Sequence, residues 1–283
     1  WALTYSPLCK ALLEEVSVDV HKYLFVSFWK CVQIMGVHSH DPEMLQVSSQ
    51  VLFRVLEKYL TVQKKRLITQ PTDIDDIEKK KNEQNFEKED EIIAVIFKCH
   101  VSIFQIYGVT YLSAFEPTLS VVLRMLTHSS SPPRHTYLTL TFLSQLIGIL
   151  QHSIVPILGD SIDYILHQCR HSDPSVCHAA ITVIGQIIEH GHSQMNGWSQ
   201  WVRDVAEFLC TSLQQADVIT THHSVFLQTI ICVIGKICQR QFHCVSGDVT
   251  AALFGRFISL FSHLSAPALA PPPPFGDGSI PYL

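Results

Sequence analysis

The stretch Ser172 to Gly191, SDPSVCHAAITVIGQIIEHG, constrains this chain more than any other. Asp173-Pro174 is a helix start: a side-chain acceptor at the N-cap, then a ring with preset φ and no N–H left unbonded. Gly191 is the matching stop, expected in the left-handed conformation that follows a last turn. Between them Val176, Ala179, Ala180, Val183, Ile184, Ile187 and Ile188 fall at spacings of 0, 3, 4, 7, 8, 11 and 12, one apolar face of an α-helix. The small Ala179 and Ala180 allow a neighbouring helix to come close. Fifty residues on, the template returns as Phe226, Thr229, Ile230, Val233, Ile234, Ile237 and Cys238, with Gly235 in register with Gly185. Forty-one residues earlier it reads His135, Leu138, Thr139, Phe142, Leu143, Leu146 and Ile147. Near the N-terminus it reads Val20, Tyr23, Leu24, Ser27, Phe28, Cys31 and Val32. A helical template recurring at roughly 40–50 residues marks a solenoid of stacked helix pairs.

The expected fold is therefore all-α: a right-handed HEAT-repeat solenoid, an α-α superhelix of about six helix pairs. Pro7 to Glu14 reads as a first outer helix and 21–36 as its inner partner. Asp41-Pro42-Glu43 repeats the start signal and opens a long helix to about Ile68. Periodicity resumes at Ile92, Val95, Ile96, Cys99, Ile103 and Ile106 and stops at Gly108. Pairs follow at about 112–127 with 135–151, 154–170 with 174–190 and 201–215 with 222–239, then a last helix at about 248–263. The organisation is HEAT-type helices over 1–69, a charged acidic loop over 70–91, HEAT-type repeats over 92–263 and a Pro-rich tail over 264–283. Four consecutive prolines in that tail impose polyproline II. The chain opens Trp-Ala-Leu-Thr-Tyr without a signal peptide or a methionine, and reads as a piece of something longer.

Charge is distributed more tellingly than its total. Residues 72–91 carry nine acids against four lysines, 4 − 9 = −5, which is the net charge of the whole chain. No apolar period survives there, so 70–91 is expected to be a solvated, mobile loop. The acids Asp73, Asp75, Asp76, Glu78, Glu87, Glu89, Asp90 and Glu91 are the candidate contacts for a basic partner surface. The rest of the chain is neutral in sum, which argues against a nucleic-acid surface.

Catalytic and metal motifs are missing. Nine cysteines, an odd number with no CxxC pair, read as reduced core thiols of a cytosolic or nuclear protein. His38, His40 and Asp41 cluster at one turn and Cys238, His243 and Cys244 at another, neither with zinc-site spacing. Glu189-His190 occurs once, in the reverse of the order that repeats in HEAT-built enzymes resembling deoxyhypusine hydroxylase. There is no GxSxG and no Gly-rich phosphate loop, so no enzyme, cofactor or metal site is expected. Residues 135–159 lack Asp, Glu, Lys and Arg and are long enough to span ~30 Å of hydrocarbon. Gln145, Gln151, His152, Ser153 and Pro156 break that run, so membrane insertion is not expected and a polytopic membrane protein is only a remote alternative. Lys64-Lys65-Arg66 closes a helix, where cations complement the dipole. On the helix 174–190 the polar positions His178, Thr182, Gln186 and Glu189 form a stripe off the core face. In a solenoid that stripe would line the concave surface, as a partner contact or as a solvated face.

The order of parts resembles a known family. A helix ending in a charged loop, a helix from Ile92, the phrase GVTYLSAFEPTLSVVLRML with Phe115-Glu116-Pro117, the phrase IVPILGDSIDYILHQC and the unit DPSVCHAAITVIGQIIEHG follow one another. That sequence of elements, over roughly 5–240, is similar to the importin-β (karyopherin-β) nuclear transport receptors, and within them to the importin-four/importin-five subgroup. Cys177 and His21 stand where the family carries arginine, and Lys79 to Lys81 dilute the acidic run. The resemblance implies a receptor shuttling between cytoplasm and nucleus that imports protein cargo under control of the small GTPase Ran. It implies cargo and Ran on the concave helices and acidic loop, and nuclear pore phenylalanine-repeat proteins between outer helices. The alternative within the fold is another HEAT scaffold, a phosphatase or trafficking adaptor.

Overall fold

The computed structural model describes residues 2–36, 42–69, 76–127, 132–159, 161–191, 197–215, 221–245, 247–252, 254–255 and 258. Among them are eleven α-helices, short 3-10 turns and no strand, which is the all-α architecture expected. The helices are α1 (Ala2–Glu14), α2 (Val18–Gly36), α3 (Pro42–Thr69), α4 (Asp76–Tyr107), α5 (Leu112–Thr127), α6 (Pro133–Leu150), α7 (Val155–Leu158), α8 (Ser161–Gln168), α9 (Pro174–His190), α10 (Trp198–Gln215) and α11 (Thr221–Arg240). They divide into two compact units, Trp1–Trp198 and Ser199–Leu283.

In the first unit neighbours in sequence pair: α1 with α2, α3 with α4, α5 with α6 and α8 with α9. Alternate helices then stack in two layers. One runs α1, α3, α5, α8 and the other α2, α4, α6, α9, each helix touching the next in its layer. This is the HEAT-type arrangement, in which no pair covers its own apolar face and each takes cover from its neighbours. In the second unit α10 buries Val202, Val205, Ala206 and Leu209, and α11 buries Ile230, Val233 and Ile237. A 3-10 turn over Phe242–Cys244 follows, and residues 247–252 are again helical.

α9 forms as its sequence dictates. The Asp173 carboxylate accepts from the Ser175 N–H at 2.8 Å, Pro174 occupies the first turn, and all seven template positions are buried. Its end differs from expectation. Gly191 has φ −78°, an extended conformation open to any residue. What excludes a side chain there is space: a Cβ at Gly191 would lie 2.2 Å from the indole of Trp198, itself buried.

Two further expectations are corrected. The segment 70–91 is not a loop from Asp76 onward, because α4 starts there and runs 32 residues without interruption. Its Glu, Lys and Gln residues are good helix formers, and its last turns before Ile92 are anchored on three neighbouring helices, as described below. Residues 70–75, with Asp73 and Asp75, lie outside the described residues, as do His38, His40, Asp41 and the tail 264–283. On α2 the buried face is His21, Phe25, Phe28 and Val32, while Val20 and Tyr23 are exposed. The template register is one position off there because a polar residue, His21, has been taken into the core.

The charge-free run 135–159 is α6, a 3-10 turn and the short α7, broken at Gln151, whose φ is +50°. One helical stretch among the described residues, Asn82–Thr127, contains an 18-residue window long and apolar enough to cross a bilayer, with mean hydropathy 1.8. Its most apolar window is 56% buried in the fold, and α4 packs on α2, α3 and α6, which is how a core helix behaves.

Candidate functional site

The acid-rich start of α4 is a candidate because of its charge, and the structure shows where that charge is directed. Asp76 and Glu78 lie in the first turn. Farther along, Glu89 is almost fully buried and forms a bidentate pair with Arg66 of α3, with N···O distances of 3.0 and 2.7 Å. The Arg66 guanidinium also lies over the Phe86 ring, 5.0 Å from its centre. Asp90, equally buried, is a hub. Its Oδ1 accepts from Gln63 Nε2 of α3 at 3.0 Å and from His135 Nε2 of α6 at 2.9 Å, and its Oδ2 pairs with Arg134 Nε of α6 at 3.1 Å. Glu87 reaches Arg134 at 3.9 Å. Glu91 meets Lys22 of α2 at 2.7 Å, a contact that lowers the Glu91 pKa and raises that of Lys22. Lys88 returns the favour to Asp19 of α2 at 3.1 Å.

All four partner-contact candidates with described side chains, Glu87, Glu89, Asp90 and Glu91, thus have cationic partners inside the chain. The exposed pairs, Glu87–Arg134, Lys22–Glu91 and Lys88–Asp19, hold loosely and are open to exchange. Glu89 and Asp90 are different, since each is a buried carboxylate that would be left a charge without water if its partners were removed. They clamp α3, α4 and α6 together and have no surface to offer. A sequence signal existed: Phe86, Glu89, Asp90, Ile93 and Ile96 share one helical face, so the acids sit on the side that enters the core.

The second candidate surface is the inner layer. Between α2, α4, α6 and α9 lies an open groove of about 710 Å³. Phe25, Val26 and Trp29 form its wall on α2, and Lys98, Ser102 and Gln105 line it from α4. Gln145 and Gly148 of α6 and Gln186 of α9 complete it. The Trp29 indole N–H donates to Ser102 Oγ at 2.6 Å, fixing the ring as a wall. Of the expected stripe, His178, Thr182, Gln186 and Glu189 are all half-buried, and Gln186 is the one that lines the groove. The Thr182 hydroxyl is turned back onto the carbonyl of His178 at 3.0 Å. The rest of the groove was not legible from the sequence, because its residues come from four helices and share no linear motif.

Elsewhere two histidines are taken into the core and held by neighbouring groups of the fold. His21 Nε2 donates to the carbonyl of Leu12 at 2.7 Å, which makes Nδ1 the acceptor for the Tyr59 hydroxyl at 2.6 Å, and burial lowers its pKa. His100 is wholly enclosed by Tyr111, Phe115 and Phe142, and burial pushes it down to about 3. Burial raises the thiols of Cys9, Cys99, Cys169 and Cys177, so they are held as thiols and not as nucleophilic thiolates. Among the described residues no group of three or more His, Cys, Asp and Glu side chains is placed to hold a metal ion.

Fold and surfaces together define a helical-repeat scaffold: two layers of helices, an acid-rich helix clamped in place and an open inner groove. Residues 20–128, from α2 through the end of α5, match the family model Importin repeat 6. That part of the chain is similar to an importin repeat. No curated protein is a significant match to the chain.

Proposed function

We propose that this chain is a segment of a nuclear transport receptor of the importin-β type, closest to the importin-four/importin-five subgroup. It binds protein cargo for import through the nuclear pore, under control of Ran, and moves between cytoplasm and nucleus. It does so by surface recognition, without chemistry. The observation that carries the reading is the importin-repeat match over residues 20–128, which covers the helices that supply the acid-rich segment and most of the groove. The groove and the stripe with His178, Thr182, Gln186 and Glu189 are the cargo side. The acids Asp73 and Asp75, Asp76 and Glu78 of the α4 start, and the loosely held Glu87 and Glu91 are the side for a basic surface on Ran or cargo. Pore phenylalanine repeats go to the outer layer.

The test is nucleotide dependence. The chain, immobilised, is exposed to cytosol with Ran locked in its GTP or GDP form. Proteins retained in the GDP state should be released in the GTP state, and a fluorescent fusion should collect at the nuclear rim of permeabilised cells. A scaffold of the phosphatase or trafficking kind would retain the same proteins in both states and ignore the rim, and that result would refute the transport reading.

A further inference from the structure

From the chemistry of its lining we infer that the groove between α2, α4, α6 and α9 binds an extended, acidic peptide segment of a partner protein. This deepens the cargo reading above and rests on it for the partner's origin alone. The first reason is polar layout. Gln105, Gln145 and Gln186 present one amide from each of three successive inner helices. Neighbouring helices pack 8–10 Å apart, and an extended chain advances roughly 3.3 Å per residue. Successive glutamines therefore meet about every third residue of a strand laid across the helices. A primary amide both donates and accepts, which is what an extended backbone needs and a helix, its bonds made internally, does not. Gln186 Oε1 is buried and has no hydrogen-bond partner among the described residues, an acceptor waiting for an N–H.

The second reason is room for a main chain. Gly148 lies on the groove side of α6, and the nearest atom to a Cβ built there is Gln186 Nε2 at 3.8 Å, an ordinary contact. No packing within the fold requires glycine at this position, while a missing side chain lets a peptide backbone approach α6. The third reason is charge. The lining contains Lys98 and no Asp or Glu, and among the described residues no carboxylate pairs with Lys98. Lys30 follows one turn beyond Val26 on α2, exposed. An acidic side chain supplies the missing partner, while the exposed Val26 and the half-buried Trp29 take an adjacent apolar side chain.

The experiment selects phage-displayed random linear dodecapeptides on the 283-residue chain, resynthesises the enriched ones with a fluorophore and measures affinity by anisotropy. Enriched peptides should carry Asp or Glu next to an apolar residue and should tolerate proline at some central positions. Gly148→Leu, which fills the groove, should weaken binding by about tenfold or more, a loss of ~1.4 kcal/mol or more. The same variant should keep the parent's helical circular dichroism and urea midpoint, since leucine is a better helix former than glycine. Lys98→Glu should weaken acidic peptides and leave neutral ones unchanged. The inference is overturned if no peptide is enriched, if the enriched ones are basic, if any central proline abolishes binding as for a helical ligand, or if Gly148→Leu binds like the parent. Loss of Ran dependence with intact peptide binding would remove the transport reading and leave the groove assignment standing.

Discussion

Replacing Asp90 by alanine should destabilise the first unit by about 2–5 kcal/mol, the cost of leaving two buried polar groups without their acceptor. The partners show why the loss falls in that range. Arg134 is 49% exposed and already within reach of Glu87, so it turns to Glu87 and water at little cost. His135 and Gln63 cannot, because they are 7% and 1% exposed. Each is left as an unsatisfied buried polar group, at about 1–3 kcal/mol apiece. Gln63 is the more severe case, since its Oε1 already lacks a partner among the described residues and its Nε2 would lose the one it has. Removing the Asp90 carboxylate relieves its own desolvation, which keeps the total from exceeding the range.

Two controls frame the measurement. Asp90→Asn keeps the shape and one acceptor and should cost about 1.5–3 kcal/mol, the span for one hydrogen bond to a charged group. Glu87→Gln, on a carboxylate 66% exposed, should stay within about 0.5 kcal/mol. Urea unfolding followed by far-ultraviolet circular dichroism gives the midpoints, compared at a common slope. Equal shifts for Asp90→Ala and Glu87→Gln would refute the claim that the acid-rich segment is a clamp, and would return it to a solvated surface.

Other variants test the packing. Gly191→Ala should cost about 1–3 kcal/mol as an overpacking change and lose most of that cost in a Trp198→Leu background, where the double-mutant cycle measures the contact. Ile184→Ala, at the centre of the α9 face and 1% exposed, should cost about 2–5 kcal/mol in the same urea assay. His100 has its pKa pushed down to about 3 by burial, so the folded state binds fewer protons than the unfolded state between that value and about 6.5. Its contribution is therefore present above pH 6.5 and is lost on acidification, by about 2 kcal/mol between pH 7 and 5. Comparing midpoints at the two pH values, His100→Phe should remove that part of the acid sensitivity.

The difference between what could and could not be read from the sequence follows the range of the interactions. α9 was legible because its cap, its apolar face and its length are encoded within twenty consecutive residues. The start of α4 was not, because what holds it lies far away in the chain. Arg66 is 23 residues from Glu89, and His135 is 45 residues from Asp90. A window of Lys and Glu looks solvated until those partners are known. The register of α2 failed for a similar reason: His21 belongs in the core only because Tyr59 and the Leu12 carbonyl satisfy both ring nitrogens. Gly191 was recognised as a needed glycine for its conformation, whereas the need comes from an indole ring seven residues later.

The far end of the acid-rich surface, Asp76 and Glu78, and the groove share one helix and are held apart by it. From Asp76 at the start of α4 to Lys98 in the groove is 22 residues of continuous helix, a distance of about 33 Å at 1.5 Å per residue. An extended ligand needs about ten residues to bridge that gap at roughly 3.3 Å each. Charges at one end cannot assist binding at the other, since the separation is several times the ~8 Å Debye length at physiological salt. A short acidic peptide in the groove should therefore be indifferent to Asp76→Asn and Glu78→Gln. A longer ligand that also carries a basic stretch some ten residues away should lose association rate in the same double variant, steeply at low salt, with little change in dissociation. Measured by surface plasmon resonance at low and high salt, equal sensitivity of the short and the long ligand would mean that the acids act on the groove by another route, and the separation of the two surfaces would fall.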